Sequence, residues 1–239
     1  MSLALAHKRR ILALGGAAVA ALAGAATLAY SPADALSSPA NARKHLMLQE
    51  AALDQDLERL SAINGLAGRQ LLKRDELLPK YQDYVQRYCE SGLNFPNRVL
   101  VQVMVWLFDT AQFEDGLELA DFAMEQGQVM PERFKRDIPT FVADAVIEWA
   151  NAEQDARRSP EPYVSNLLPR VDGEWQLTEQ IPAKYHKLLG IRAMECQDWP
   201  IAIGHFERAT ELYSAVGVGT RLDNCRKALK KQQAQRPPQ

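Results

Sequence analysis

Between Arg43 and Ala215 several segments carry apolar residues at mixed steps of three and four, and this period constrains the fold more than any other feature. Leu46, Leu48, Ala52, Leu53, Leu57 and Leu60 form one such series. Tyr81, Tyr84, Val85 and Tyr88 form a second, and Phe113, Leu117, Ala120 and Met124 a third. Between Phe141 and Ala156 the faces are set by Phe141, Ala145, Ile147, Glu148 and Trp149. The run Val99–Phe108 is apolar almost all round and rich in valine, which suits a buried strand by composition. Its length and its amphipathic successor favour a buried helix. The expected fold is all-α.

The breaks in this pattern suggest an organisation. Ser37-Ser38-Pro39-Ala40-Asn41 separates a first segment, with Ser38 or Asn41 available to cap the next helix. Asn64-Gly65 interrupts again. A second helix is expected from about Ala67 to Leu78, with a break or kink at Pro79. Ser91–Asn97 reads as a loop. Met130-Pro131-Glu132-Arg133 has the look of a helix start, with Pro131 at the first helical position. Arg157–Pro162 reads as a linker, and Leu167–Trp175 as irregular. The expected layout is an N-terminal arm (1–40), a helical core (41–158), an irregular linker (159–180), a helical hairpin (181–226) and a frayed polar tail (227–239).

Residues 185–215 carry the offsets of a tetratricopeptide-like helical hairpin. Gly190 and Ala202 are small where two helices would cross, and Phe206 would fill the groove between them. Asp198-Trp199-Pro200 falls where the turn belongs. A weaker copy places Gly116, Ala120 and Ala123 at the same offsets, with the turn at Asp109–Gln112. Such hairpins are usually binding scaffolds and say little about chemistry.

The N-terminus is ambiguous. His7-Lys8-Arg9-Arg10 precedes an uncharged stretch, Ile11–Tyr30, and Ala33-Asp34-Ala35 resembles a signal-peptidase site. That is the pattern of an exported or membrane-anchored protein. Yet nine of the twenty residues are Ala and three are Gly, which lowers the apolar transfer energy of the stretch. The other reading is a basic, Ala-rich arm that becomes helical when packed on copies of itself.

The formal net charge is −2, so nucleic-acid contact has to come from local patches. The basic clusters are His7–Arg10, Arg43-Lys44-His45, Arg69 with Lys73-Arg74, and Arg133 with Lys135-Arg136. Three of these lie in the first 75 residues. DNA contact is expected at Lys8, Arg9, Arg10, Arg43, Lys44, Arg69, Lys73 and Arg74, and an ordinary solvated helix face is the rival explanation. The acids Asp109, Glu114, Asp115, Glu118 and Asp121, and Asp144, Glu148 and Asp155, read as solvated faces and not as a metal-dependent nuclease centre. The chain contains no Walker loop, no H-E-x-x-H and no G-x-S-x-G. Cys89, Cys196 and Cys225 are widely spaced and odd in number, and read as buried free thiols. No catalytic residue, metal or cofactor is expected.

Several blocks resemble the small terminase subunits of temperate tailed bacteriophages. They are Arg74–Pro79, Val103–Thr110, Gly116–Ala120, Val129–Pro131, Lys184–Gly190, and Ala202 with Phe206–Thr210, all in the family's order over roughly residues 40–230. The resemblance implies a protein that binds double-stranded phage DNA at the packaging or cohesive-end site. It implies action with the large ATPase subunit as a homo-oligomer in the bacterial host cytoplasm, away from any membrane. It also makes the signal-like segment a mimic. The family label of endonuclease subunit meets no nuclease motif here, so cutting is expected to depend on the complex. The rival is an exported or anchored helical scaffold.

Overall fold

A computed structural model describes residue 36 and residues 38–235. Every regular element among the described residues is a helix, and none is a strand. They fall into two compact units divided between Ile138 and Pro139, earlier in the chain than the soft boundary expected at 158–180.

The first unit holds helices α1 (Pro39–Ala62), α2 (Leu66–Leu72), α3 (Leu78–Ser91), α4 (Arg98–Asp109) and α5 (Phe113–Glu125). Ser38 caps α1 by accepting from the Asn41 N–H at 3.3 Å, ahead of Pro39 in the first turn. The valine-rich run is the buried helix α4, with every residue from Val99 to Phe108 enclosed. It packs against α1, α3 and α5, so it has no solvent face to make polar. Of the break or kink expected at Pro79, the break does not occur. A π turn at Lys73–Leu77 comes first, in which Leu78 N donates to the Lys73 carbonyl, and the chain then runs on to Ser91. A proline ring collides with the carbonyl four residues back, and the wider turn relieves that clash.

Asn97 begins α4 and ties the preceding loop down. Its Oδ1 accepts from Leu100 N at 3.1 Å, and its Nδ2 donates to the Tyr84 hydroxyl at 2.9 Å. Its own N–H donates to Gln128 Oε1 at 2.7 Å, while Gln128 Nε2 donates to the Phe95 carbonyl at 2.8 Å. The helix expected at Pro131 is absent. Residues 128–137 form an irregular loop, and the next helix starts at Ile138 with Pro139 in its first turn. Both prolines carry the same start signal, and the downstream one is used.

The second unit holds α6 (Ile138–Asp155), α7 (Tyr163–Pro169), α8 (Gln180–Glu195), α9 (Trp199–Leu212) and α10 (Gly219–Ala234). The segment expected as irregular is partly ordered: α7 is followed by a π turn at Arg170–Glu174. Val164, Leu167 and Val171 are buried at helical spacing, and this anchors it. The tail expected to fray is helical as far as Ala234. Leu222 and Cys225 are buried in the core that Ala202, Phe206 and Val218 share, which holds α10 against α9.

The α8–α9 hairpin is built as its sequence implies. A Cβ placed on Gly190 would stand 2.6 Å from the Phe206 ring, so only glycine admits that ring between the helices. Asp198 caps α9, accepting from Ile201 N at 3.3 Å. In the α4–α5 hairpin the roles are exchanged: Gly116 on the second helix faces Phe108 on the first, and a Cβ on Gly116 would stand 3.2 Å from that ring. The two hairpins also share one turn. Ala111 and Gln197 both adopt left-handed φ, near 57° and 60°. The paired bonds Gln112 N→Leu107 O and Asp198 N→Ala193 O, each 2.9 Å, close the same helix-ending motif.

Candidate nucleic-acid interface

The basic residues singled out by the sequence meet different fates. Lys8, Arg9 and Arg10, with the apolar stretch behind them, lie outside the described residues. Arg43 and Lys44 stand exposed in the first half of α1 and make no ion pair among the described residues. Arg69 turns inward and donates from Nε to the Ile63 carbonyl at 2.6 Å. Lys73 is largely covered and bonded to Asp109 at 2.6 Å. Arg74 pairs with its neighbour Asp75 at 2.8 Å, which still leaves it exposed. Hence Arg43, Lys44 and Arg69 have no carboxylate partner among the described residues, but only Arg43 and Lys44 of these three are exposed, while Lys73 spends its charge on Asp109.

Sequence reasoning missed a second group of free cations. Arg221, Lys227, Lys230 and Lys231 of α10 are exposed and unpaired among the described residues, whereas Arg226 is bonded to Glu207 at 2.7 Å. The expectation of a frayed tail from residue 227 hid the three lysines, because a coil displays no face.

The second unit also contains a hydrogen-bonded chain of titratable groups. Arg208 grips Asp172 with two bonds, Nε to Oδ2 at 2.9 Å and a terminal nitrogen to Oδ1 at 2.8 Å. His186 Nε2 lies 2.9 Å from the same carboxylate, and His186 Nδ1 lies 2.9 Å from His205 Nδ1. A carboxylate fixes the proton of His186 on Nε2, so its Nδ1 accepts from His205 and leaves a lone pair on His205 Nε2. Arg208 above all, and then His186, hold the Asp172 carboxyl below its ordinary range despite its burial. Burial lowers both histidines, against the pull of Asp172 on His186 and reinforced at His205 by its neighbour.

Of the acids weighed as a nuclease centre, Asp109 serves as the partner of Lys73. Among the described residues no cluster of three or more His, Cys, Asp or Glu side chains is placed to hold a metal ion. No helix among them is long and apolar enough to cross a membrane. Cys89 and Cys225 are buried as expected, but Cys196 is exposed, because it caps α8 at the hairpin turn.

Residues 50–180, more than half the chain, match the family of the phage small terminase subunit. The chain belongs to that family. It is 32% identical over 189 residues to the "Probable terminase, endonuclease subunit" of Haemophilus phage HP1, covering 74% of this chain and 67% of that protein. To the "Terminase, endonuclease subunit" of Escherichia phage P2 it is 28% identical over 184 residues, covering 77% and 73%. No solved structure matches. The small terminase match begins after Arg43 and Lys44 and ends at the first residue of α8, so both groups of free cations lie outside it. Arg69, Lys73 and Arg74 lie within it, as do Arg98 and Arg133.

Proposed function

We propose that this small terminase subunit recognises double-stranded phage DNA at the packaging or cohesive-end site and presents it to a large ATPase subunit, acting as a homo-oligomer in the host cytoplasm. Membership of the small terminase family carries this reading. The DNA contacts are Lys8, Arg9 and Arg10, continued by Arg43 and Lys44 at the start of α1. Arg74 adds an exposed charge, and Arg69 and Lys73 act mainly by fixing the α2 region that carries it. Phosphate contacts of this kind set register and carry no sequence information themselves. Assembly multiplies each weak patch into useful avidity. The two relatives bear the word endonuclease, and by this reading cutting belongs to the assembled complex, with this chain as its positioning subunit.

Binding of full-length protein to duplex phage DNA, measured across salt concentrations beside a variant lacking residues 1–36, tests this. A steep salt dependence that becomes shallower on truncation is the expected result. If neither protein binds duplex, or if the full-length chain is recovered in membranes, the reading fails.

A further inference from the structure

The first unit contains a cavity of about 490 Å³ between the start of α4 and the loop after α5. Gln102, Arg133 and Arg98 are among the donors that line it. Gln102 is only 1% exposed, and its Oε1 accepts a bond from the Arg133 guanidinium. That bond fixes the amide orientation, because the reverse would set an NH2 against a cation. Gln102 Nε2 is thereby left buried with no partner, a costly arrangement for a donor. Arg133 has no carboxylate within ion-pair distance among the described residues. Arg98 enters the same cavity while holding Asp54 at 2.6 Å.

Glu50 and Glu132 also stand in the lining, so the cavity carries no net positive charge, but neither acid pairs with Arg133, and the guanidinium and the buried amide are left as donors without an anionic acceptor. One carboxylate from outside would satisfy Arg133 alone. A phosphate ester has oxygens enough for all three groups. The cavity is larger than a phosphate, and Val129, Met130 and Pro131 give it an apolar wall, with Val129 74% exposed. Asn97 and Gln128 hold the two walls together through the bond described above, so the site is braced by the fold.

We propose that this cavity binds a single nucleotide unit, with its phosphate on Arg133, Arg98 and Gln102 and its sugar or base against Val129, Met130 and Pro131. The unit comes from a free nucleotide or from a single-stranded DNA end, which share this chemistry. The site is separate from the duplex contacts proposed above and stands without them.

Calorimetric or anisotropy titration of the full-length protein with dAMP, inorganic phosphate, a single-stranded oligonucleotide and a blunt duplex tests the proposal. Binding of dAMP or the single strand is expected, weakened at least about tenfold in Arg133→Gln, with phosphate alone binding less tightly than dAMP. Glu132→Gln removes an exposed acid at the rim and is expected to tighten dAMP a few-fold, a gain that misfolding cannot mimic. A preference for dAMP assigns a free nucleotide, and a preference for the single strand assigns a DNA end. No binding of either probe by the wild type overturns the site, as do two variants with unchanged affinity. Phosphate binding as tightly as dAMP overturns the nucleotide reading. Duplex affinity that survives Arg133→Gln while dAMP binding is lost separates this site from the proposed function, and loss of duplex binding with dAMP retained sinks that function alone.

Discussion

Gly190 shows how one missing carbon decides a helix crossing. In a helix interior Ala is favoured over Gly by roughly 0.5–1 kcal/mol. At Gly190 the added Cβ would meet the fully buried Phe206 ring at 2.6 Å, and overpacking a filled core costs about 1–3 kcal/mol. The steric term wins, so Gly190→Ala is expected to lower the urea midpoint by an amount equivalent to about 1–2 kcal/mol. Adding Phe206→Leu should recover part of the loss, and a neutral or stabilising Gly190→Ala would show that the helices do not cross there. The histidine pair gives a second residue-scale prediction. Burial lowers His186 and His205 in the folded chain, so below their ordinary value near 6.5 the unfolded chain takes up protons that the folded chain refuses. Their stabilising contribution is complete above that pH and declines as the pH falls toward the folded values, by at most about 1.4 kcal/mol per pH unit for each histidine. Asp172, held low, begins to lose its own contribution only below about pH 3.8, well outside this window. Denaturant midpoints at pH 7.5 and 5.5 should therefore differ more for the wild type than for His205→Asn. Equal differences would mean that the pair does not titrate on unfolding.

At the scale of elements, the helical period was legible because it repeats within each segment and needs no distant partner. Val99–Phe108 was legible as a buried helix for the same reason, although its valines favour strands. Gly190, Ala202 and Phe206 could be read because helix crossing leaves a small residue and an aromatic at fixed offsets. The π turn before Pro79 left no comparable trace, since one extra residue in a turn hardly changes a run of polar and apolar residues. Pro131 and Pro139 carry identical start signals, and only packing chooses between them. The cavity escaped notice because Arg133 and Gln102 stand 31 residues apart, and side-chain bonds across such a gap have no period. The two hairpin turns give a prediction. Ala111 and Gln197 hold left-handed φ without being glycine, at a cost near 1 kcal/mol each. Replacing either with Gly should raise stability by a few tenths to about 1 kcal/mol, after the entropy that glycine adds to the unfolded chain is counted. Thermal melting of Ala111→Gly and Gln197→Gly measures this, and a loss in both would mean that the side chains hold the turns by contacts stronger than the strain.

For the whole molecule, charge is the quantity on which the proposed duplex contact depends. With a net charge of −2, the chain as a body does not attract a polyanion, so the duplex binding proposed above requires cations left uncompensated by the fold. Arg43 and Lys44 meet that condition near the start of α1. Lys230 and Lys231 are equally free, but they sit at the end of α10, where the negative pole of the helix already stabilises them. They therefore need no ligand to explain them, and they make the natural control. Each phosphate contact contributes about 0.9 to the slope of log affinity against log salt on duplex DNA. Arg43→Gln with Lys44→Gln should flatten that slope by about 2, while Lys230→Gln with Lys231→Gln should leave it nearly unchanged despite an equal loss of charge. An equal flattening by both pairs would mean that the duplex answers to net charge alone and has no seat at α1. Flattening by the α10 pair only would move the contact to the C-terminal helix, and the role given to the residues around Arg43 would then fall.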